Sequence, residues 1–225
     1  MYKNQWGHTK CIAMAGMLIA IIFLMTFTGI GIIPLPLLRP TTLHIPVIIG
    51  ALLLGPKYGA VLGFAFGLAS MLFATFLPAV TSFVFSPFIN LPGMDNGSWI
   101  ALVVAFIPRI CIGITAWYAY VGASRLFHLQ KKTVAWMVAG LVGALTNTVL
   151  VMHFIFFFFG ETWNSVRATP SDVIYLGILS IISVNGIPEA LVSALLVPAI
   201  MGALTVVINR MPSSNRAPSS KGAQQ

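Results

Sequence analysis

The sequence predicts an all-α integral membrane protein: a six-transmembrane-helix bundle with both its N- and C-termini in the cytoplasm. Three observations carry that prediction. Of 225 residues, 58% are hydrophobic and 7% charged, against about 45–50% and about 25% in soluble domains. Apolar runs follow one another at roughly the twenty-residue length that a 30 Å hydrocarbon core demands of a helix rising 1.5 Å per residue. The basic residues fall on one side of those runs.

Six segments satisfy the length argument: 11–28, 43–54, 58–76, 99–120, 133–159 and 184–208. The first, preceded by Lys3 and Lys10, imitates a signal peptide, but no small-x-small cleavage site precedes the next polar stretch, so it is expected to stay as a helix. The second is too short to span unaided and is either oblique or extended by its Pro-rich leader. The third carries Gly59, Gly63 and Gly67 at four-residue intervals, a pattern for close helix contact within this chain or with another. Ala13, Gly16 and Ala20 make a weaker small-residue face on the first segment. Gly140, Gly143 and Asn147 form a smooth stripe on the fifth, which ends in an amide. The fifth is long enough to tilt, and its Phe-rich run 154–159 reads as a lipid-facing collar. An apolar stretch at 171–183 is too short to cross and is expected to lie on the outer surface. Residues 1–10 are a cytoplasmic segment, 11–208 the membrane domain, and 209–225 a disordered cytoplasmic tail poor in apolar side chains.

With the N-terminus inside, Lys3, Lys10, Lys57, Arg125, Lys131, Lys132, Arg210, Arg216 and Lys221 are cytoplasmic, and only Arg39 and Arg167 are outside. The formal charge of +8 is therefore topological. No basic stripe with interleaved aromatics suggests nucleic acid. Cys11 and Cys111 stand far apart in apolar surroundings and are expected to be small core residues.

Polar groups inside the spans are costly and mark function or structural pairing. Arg109 lies roughly 15 Å deep by helical rise and needs a partner. It either pairs with Glu189 or backbone carbonyls, or forks onto an acceptor of a bound solute, for which its planar donors are suited. Glu189 is expected near the outer third of the last helix, roughly 10 Å above Arg109. Asn147, flanked by Thr146 and Thr148, and His153 lie in the outer half of the fifth segment, where they line a site or merely bond helix to helix. Pro188 is expected to bend the last helix and free carbonyls, with Asn185 and Glu189 on one face. The polar set thus gathers in the outer half, as a cup covered by two Pro-rich loops: 29–42, with Pro34, Pro36, Arg39 and Pro40, and 87–98, with Asn90, Pro92, Gly93 and Asp95.

No phosphate-binding loop, metalloprotease helix or nucleophile elbow is present in the sequence. The chain is not expected to be an enzyme, since His44, His153 and Glu189 share no catalytic motif. If it concentrates a solute, energy comes from another chain, or from a coupled ion for which Glu189 is the candidate site in an autonomous carrier.

Several short motifs in order carry a resemblance: Thr41-Thr-Leu-His-Ile-Pro-Val-Ile-Ile-Gly50, Leu54-Gly-Pro and the glycine-spaced helix, Thr81-Ser-Phe-Val-Phe-Ser-Pro87, Pro108-Arg109-Ile110, Thr146-Asn147-Thr148 and Asn185-Gly-Ile-Pro-Glu189. Together, over about 11–208, the chain resembles the substrate-binding S components of energy-coupling factor (ECF) vitamin transporters, most closely the subgroup that includes pantothenate-specific components. The resemblance implies a six-helix bundle, capture of a vitamin near the outer face, and a gate formed by the first and third outer loops. It also implies a toppling motion and partnership with a transmembrane T component and two cytosolic ATPases. ATP then binds to the partners, and this chain has no cofactor of its own. Docking in the family uses an Ala-x-x-x-Ala face on the first helix, matched here by Gly16 and Ala20 with Ala13 one turn earlier. Arg109, Asn147, Asn185 and Asn90 become the direct solute contacts, with Glu189 and His153 as supports.

Overall fold

The computed structural model describes residues 7–31, 42–79, 81–126, 132–167 and 182–210. Expectations for Lys3, Pro34, Pro36, Arg39, Pro40, Lys131, residues 171–181 and the tail beyond 210 lie outside the described residues. Six α-helices form the described chain, and no strand occurs among those residues: α1 His8–Thr28, α2 Ile45–Leu54, α3 Pro56–Phe76, α4 Ile100–Leu126, α5 Lys132–Arg167 and α6 Ile187–Arg210. A 3₁₀ turn, Ser82–Val84, precedes α4 and a π turn, Ile182–Gly186, precedes α6. Five of the helices, α6 together with its π turn, are long and apolar enough to cross a membrane; α2 is not.

The glycine stripe of α3 packs inside the chain, against α4. A methyl group added at Gly59 would lie 3.1 Å from the α-carbon of Gly113, one at Gly63 would fall on the carbonyl of Arg109, and one at Gly67 would lie 2.8 Å from the carbonyl oxygen of Ala105. These three pairs step in opposite directions along the two helices, so α3 and α4 are antiparallel with their backbones in contact. Gly140 on α5 brings α6 equally close, its added methyl 2.6 Å from the carbonyl oxygen of Ser193. Gly143 instead makes room for the side chain of Ile48 on α2.

All ten residues of α2 are buried. At its start His44 bonds Ser193 of α6, Ile48 meets Gly143 of α5, and Ala51 meets Gly59 of α3. Within two turns the helix thus passes from α6 across α5 to α3, which is the oblique course its length suggested. Gly55, at φ 97°, then turns the chain in a conformation open mainly to glycine, and Pro56 opens α3 where no N–H is required.

α1 lies at the periphery with Ile12, Met17 and Leu24 exposed, as expected of side chains facing lipid. Phe27 near its C-terminus meets Phe73 near the C-terminus of α3, with ring centroids 6.1 Å apart, so the two helices finish at one end of the bundle. α4 begins at that end. α5 also rises toward it, because Phe159 packs edge-on against Phe83 of the connecting segment, 6.0 Å between centroids. This shared end is called the upper end below. The collar at 154–159 is consequently two-sided: Phe157 is 71% exposed, but Ile155 and Phe159 are buried in a small core with Phe83, Val84 and Val104. The apolar run gave no hint of the loop that covers its inner face.

Candidate functional site

Arg109 is 7% exposed, in the middle of α4. Its neighbour Pro108 has no N–H, so the carbonyl of Val104 four residues earlier loses its helical donor. Arg109 supplies the replacement, its Nη1 donating to that oxygen at 2.7 Å. The side chain therefore runs toward the upper end, the direction in which Cβ vectors lean on a helix starting there. Phe66 of α3 and Phe85 of the connecting segment flank the guanidinium, with ring centroids 5.6 and 4.9 Å from its central carbon, within cation–π range. Nε is buried without a hydrogen-bond partner among the described residues. The head group is thus aimed and walled by rings, with donor capacity left over for an anion.

Phe85 is delivered by a pinned loop. Thr75 near the end of α3 bonds the hydroxyl of Ser86 at 2.7 Å, Ser82 Oγ accepts from the amide of Ala79 at 2.9 Å, and Ser86 Oγ accepts from that of Phe88 at 3.2 Å.

The second buried charge lies across the bundle on α6. Glu189, also 7% exposed, accepts a hydrogen bond on Oε2 from Thr148 of α5 at 3.1 Å. Gly186 allows this approach, since a methyl there would stand 3.0 Å from the Thr148 side chain. Two residues below Thr148, Thr146 bonds Thr115 of α4 at 3.0 Å, which sets the level of α5 against α4. Arg109 is six residues above Thr115, or roughly 9 Å by helical rise. The expected height of Glu189 above Arg109 rests on every span starting at one plane, whereas α5 runs for 36 residues and α6 follows a π turn. Among the described residues Arg109 makes one hydrogen bond, to Val104, and none to Glu189.

Asn147 is 9% exposed, and its Oδ1 is buried with no partner among the described residues. Asn185 is half-buried in the π turn, beside the Gly186 that packs on Thr148. Where a bend was expected at Pro188, a π turn, Ile182–Gly186, precedes α6, and Pro188 stands in the first turn of that helix. His153 is half-buried, with Nδ1 bonded to the Val149 carbonyl of its own helix at 2.8 Å. Asn90 is exposed on the loop. The structure thus buries Arg109, Asn147 and Glu189 on α4, α5 and α6, with Asn185 half-buried in the turn before α6. Phe66 and Phe85 escaped the sequence reading. Phe66 was within reach of it, lying one turn from Gly63 on the face that meets α4; Phe85 sits in a loop with no periodicity to reveal it.

On α1, Ala13, Gly16 and Ala20 are exposed, and an added methyl at Gly16 would meet nothing within 4 Å. Cys11 and Cys111 are free thiols, the first buried and the second partly so.

The sequence profile described as "ECF transporter, substrate-specific component" matches residues 10–201. This chain belongs to that family. It is 36% identical to the pantothenic acid transporter PanT of Lactococcus lactis subsp. cremoris over 93% of its own length and 99% of the relative's. It is 28% identical to the pantothenate transporter PanT of Leuconostoc mesenteroides subsp. mesenteroides over 91% and 96%. The protein is therefore a substrate-specific vitamin-uptake component with several apolar helices in the cell membrane, and its family is one of transporters.

Proposed function

We propose that this ECF substrate-specific component captures pantothenate at the outer face of the membrane, for uptake driven by ATP on partner subunits. The observation that carries the reading is Arg109: a buried, ring-walled guanidinium whose Nε has no partner among the described residues, in a chain similar to two pantothenate transporters. Pantothenate offers a carboxylate for such a group, together with an amide and hydroxyls for Asn147, Asn185 and Glu189. Asn90 enters only if its loop closes over the bound solute, and His153 acts as a support. The chain needs no resident cofactor.

The upper end is read as the outside. Since α1 and α3 finish at that end, the chain re-crosses the bilayer between them, by α2 and the residues leading into it, which completes six passages. Lys10, Lys57, Arg125, Lys132 and Arg210 then share the cytoplasmic end, in keeping with the positive-inside rule. The domain division is a cytoplasmic segment at 1–10, the membrane domain at 11–208 and a tail at 209–225. The open face of Ala13, Gly16 and Ala20 docks a transmembrane T component, which links this chain to two cytosolic ATPases.

Vesicle uptake tests the reading. Labelled pantothenate is expected to accumulate only when the chain is combined with the T component and ATPases and supplied with ATP. Accumulation by the chain alone on an ion gradient would replace the reading with an autonomous carrier.

A further inference from the structure

A groove of about 400 Å³ runs between α1 and α6, with α2 beneath it. Both outer helices contact α2, and the gap between them extends from Met14 and Leu204 near the lower end to Met25 and Leu196. Met14 and Met25 are eleven residues apart, or roughly 16 Å by helical rise, half of a 30 Å hydrocarbon core and so the depth of one leaflet. Thr42 is the one polar residue among the lining, and its hydroxyl is committed to the carbonyl of Gly31 at 3.2 Å. The groove thus offers apolar surface and no open hydrogen-bonding side chain. An apolar cavity of about 150 Å³ takes one benzene ring, so this volume has room for roughly sixteen carbon atoms.

The lower end of the groove is basic. On a helix of 3.6 residues per turn, Lys10 falls on the same face of α1 as Met14, Met17 and Ile21, one turn below the groove. Lys57 follows Leu53, a lining residue, by four positions across the turn at Gly55, and both lysines are exposed. No Asp or Glu occurs in residues 1–94 or 190–225, so none on α1, α2, α3 or the lower part of α6 offsets them. We propose that the groove holds one acyl chain of an anionic phospholipid, drawn from the leaflet at the lower end, with the headgroup phosphate against Lys10 and Lys57. Methionines such as Met14, Met17 and Met25 are unbranched and adapt to a chain of no fixed shape. Gly, Ala and Ser, through which helices approach closely, are absent from the lining, so lipid suits the groove better than a partner helix does. Ala13, Gly16 and Ala20 centre roughly 120° away around α1, which keeps the lipid clear of that open face.

Native mass spectrometry of the full chain in detergent, titrated with dioleoyl phosphatidylglycerol or dioleoyl phosphatidylcholine, counts the lipids retained. The wild type is expected to keep one phosphatidylglycerol and to prefer it over phosphatidylcholine by roughly fivefold for each lysine at the headgroup. Leu196→Trp puts a ring into the groove from a position already 39% exposed, and is expected to lose that lipid while melting as the wild type does. Ile200→Phe, also on the α6 wall, replaces it should the first variant fail to fold. Lys10→Gln combined with Lys57→Gln is expected to keep a lipid and to choose equally between the two headgroups. Undiminished retention in the folded groove variant, equal retention of the two lipids by the wild type, or a wild type that arrives without lipid overturns the proposal. A full headgroup preference in the double lysine variant overturns it as well. A lipid-free dimer, or release of the lipid when the T component and ATPases are added, gives the groove to a protein occupant and overturns it likewise.

Discussion

At the level of single residues, the most informative neighbours are Pro108 and Arg109. A proline inside a helix ordinarily costs about 3 kcal/mol by removing a hydrogen bond and crowding a carbonyl. Here the orphaned Val104 oxygen is taken by the guanidinium next door, so the cost is turned to aiming a charge. Pro108→Ala restores an N–H that competes for that oxygen. We expect a sturdier helix and solute binding several-fold weaker, read by calorimetry, because the guanidinium is no longer held; unchanged affinity would show that the Val104 bond does not orient it. Arg109→Ala should weaken binding of the anionic solute by a factor on the order of 100, as for a lost bidentate charged contact. Arg125→Ala, at the far end of the same helix and exposed, should stay within about twofold, as expected of a surface change. Arg109 announced itself in the sequence by the expense of a charge at that depth. Its true neighbours did not, since Val104 and Phe85 are ordinary apolar positions until Pro108 and the pinned loop give them work.

Among elements, a close contact on the glycine face of α3 was legible, and its partner, α4, was not. Three glycines at a four-residue interval suffice to specify a close contact, whereas nothing in the spacing names the helix that meets it. The 36 residues of α5 and the π turn before α6 leave no periodic trace. Gly63→Ala should destabilise the protein by about 1–3 kcal/mol, as overpacking does, because the new methyl meets the Arg109 carbonyl. Gly16→Ala, with open space around it, should shift stability by less than about 0.5 kcal/mol. Thermal melts in detergent compare the two directly, and equal melts would deny the α3–α4 contact. A bulky replacement, Gly16→Trp, should leave solute binding intact and abolish ATP-driven uptake; a variant that transports normally would remove this face of α1 from the docking surface.

For the whole molecule, the buried charges and amides lie on α4, α5 and α6, while α1 and α2 contribute apolar packing and an open flank. That division was readable from the sequence, because costly polar residues cluster in the last three spans and small residues on the first. Orientation can be checked by labelling single cysteines in a background lacking Cys11 and Cys111. Cysteine at Asn96 should react with an impermeant reagent from outside, and cysteines at Lys57 and Arg125 only after the membrane is opened; the reverse pattern would invert the topology. The most direct test of the central claim is native mass spectrometry of the freshly purified protein. The wild type should retain one small molecule with the mass of pantothenate, and Arg109→Ala should arrive empty. Equal retention by both, or a retained molecule without an acid group, would contradict the assignment of Arg109 as the group that holds the solute.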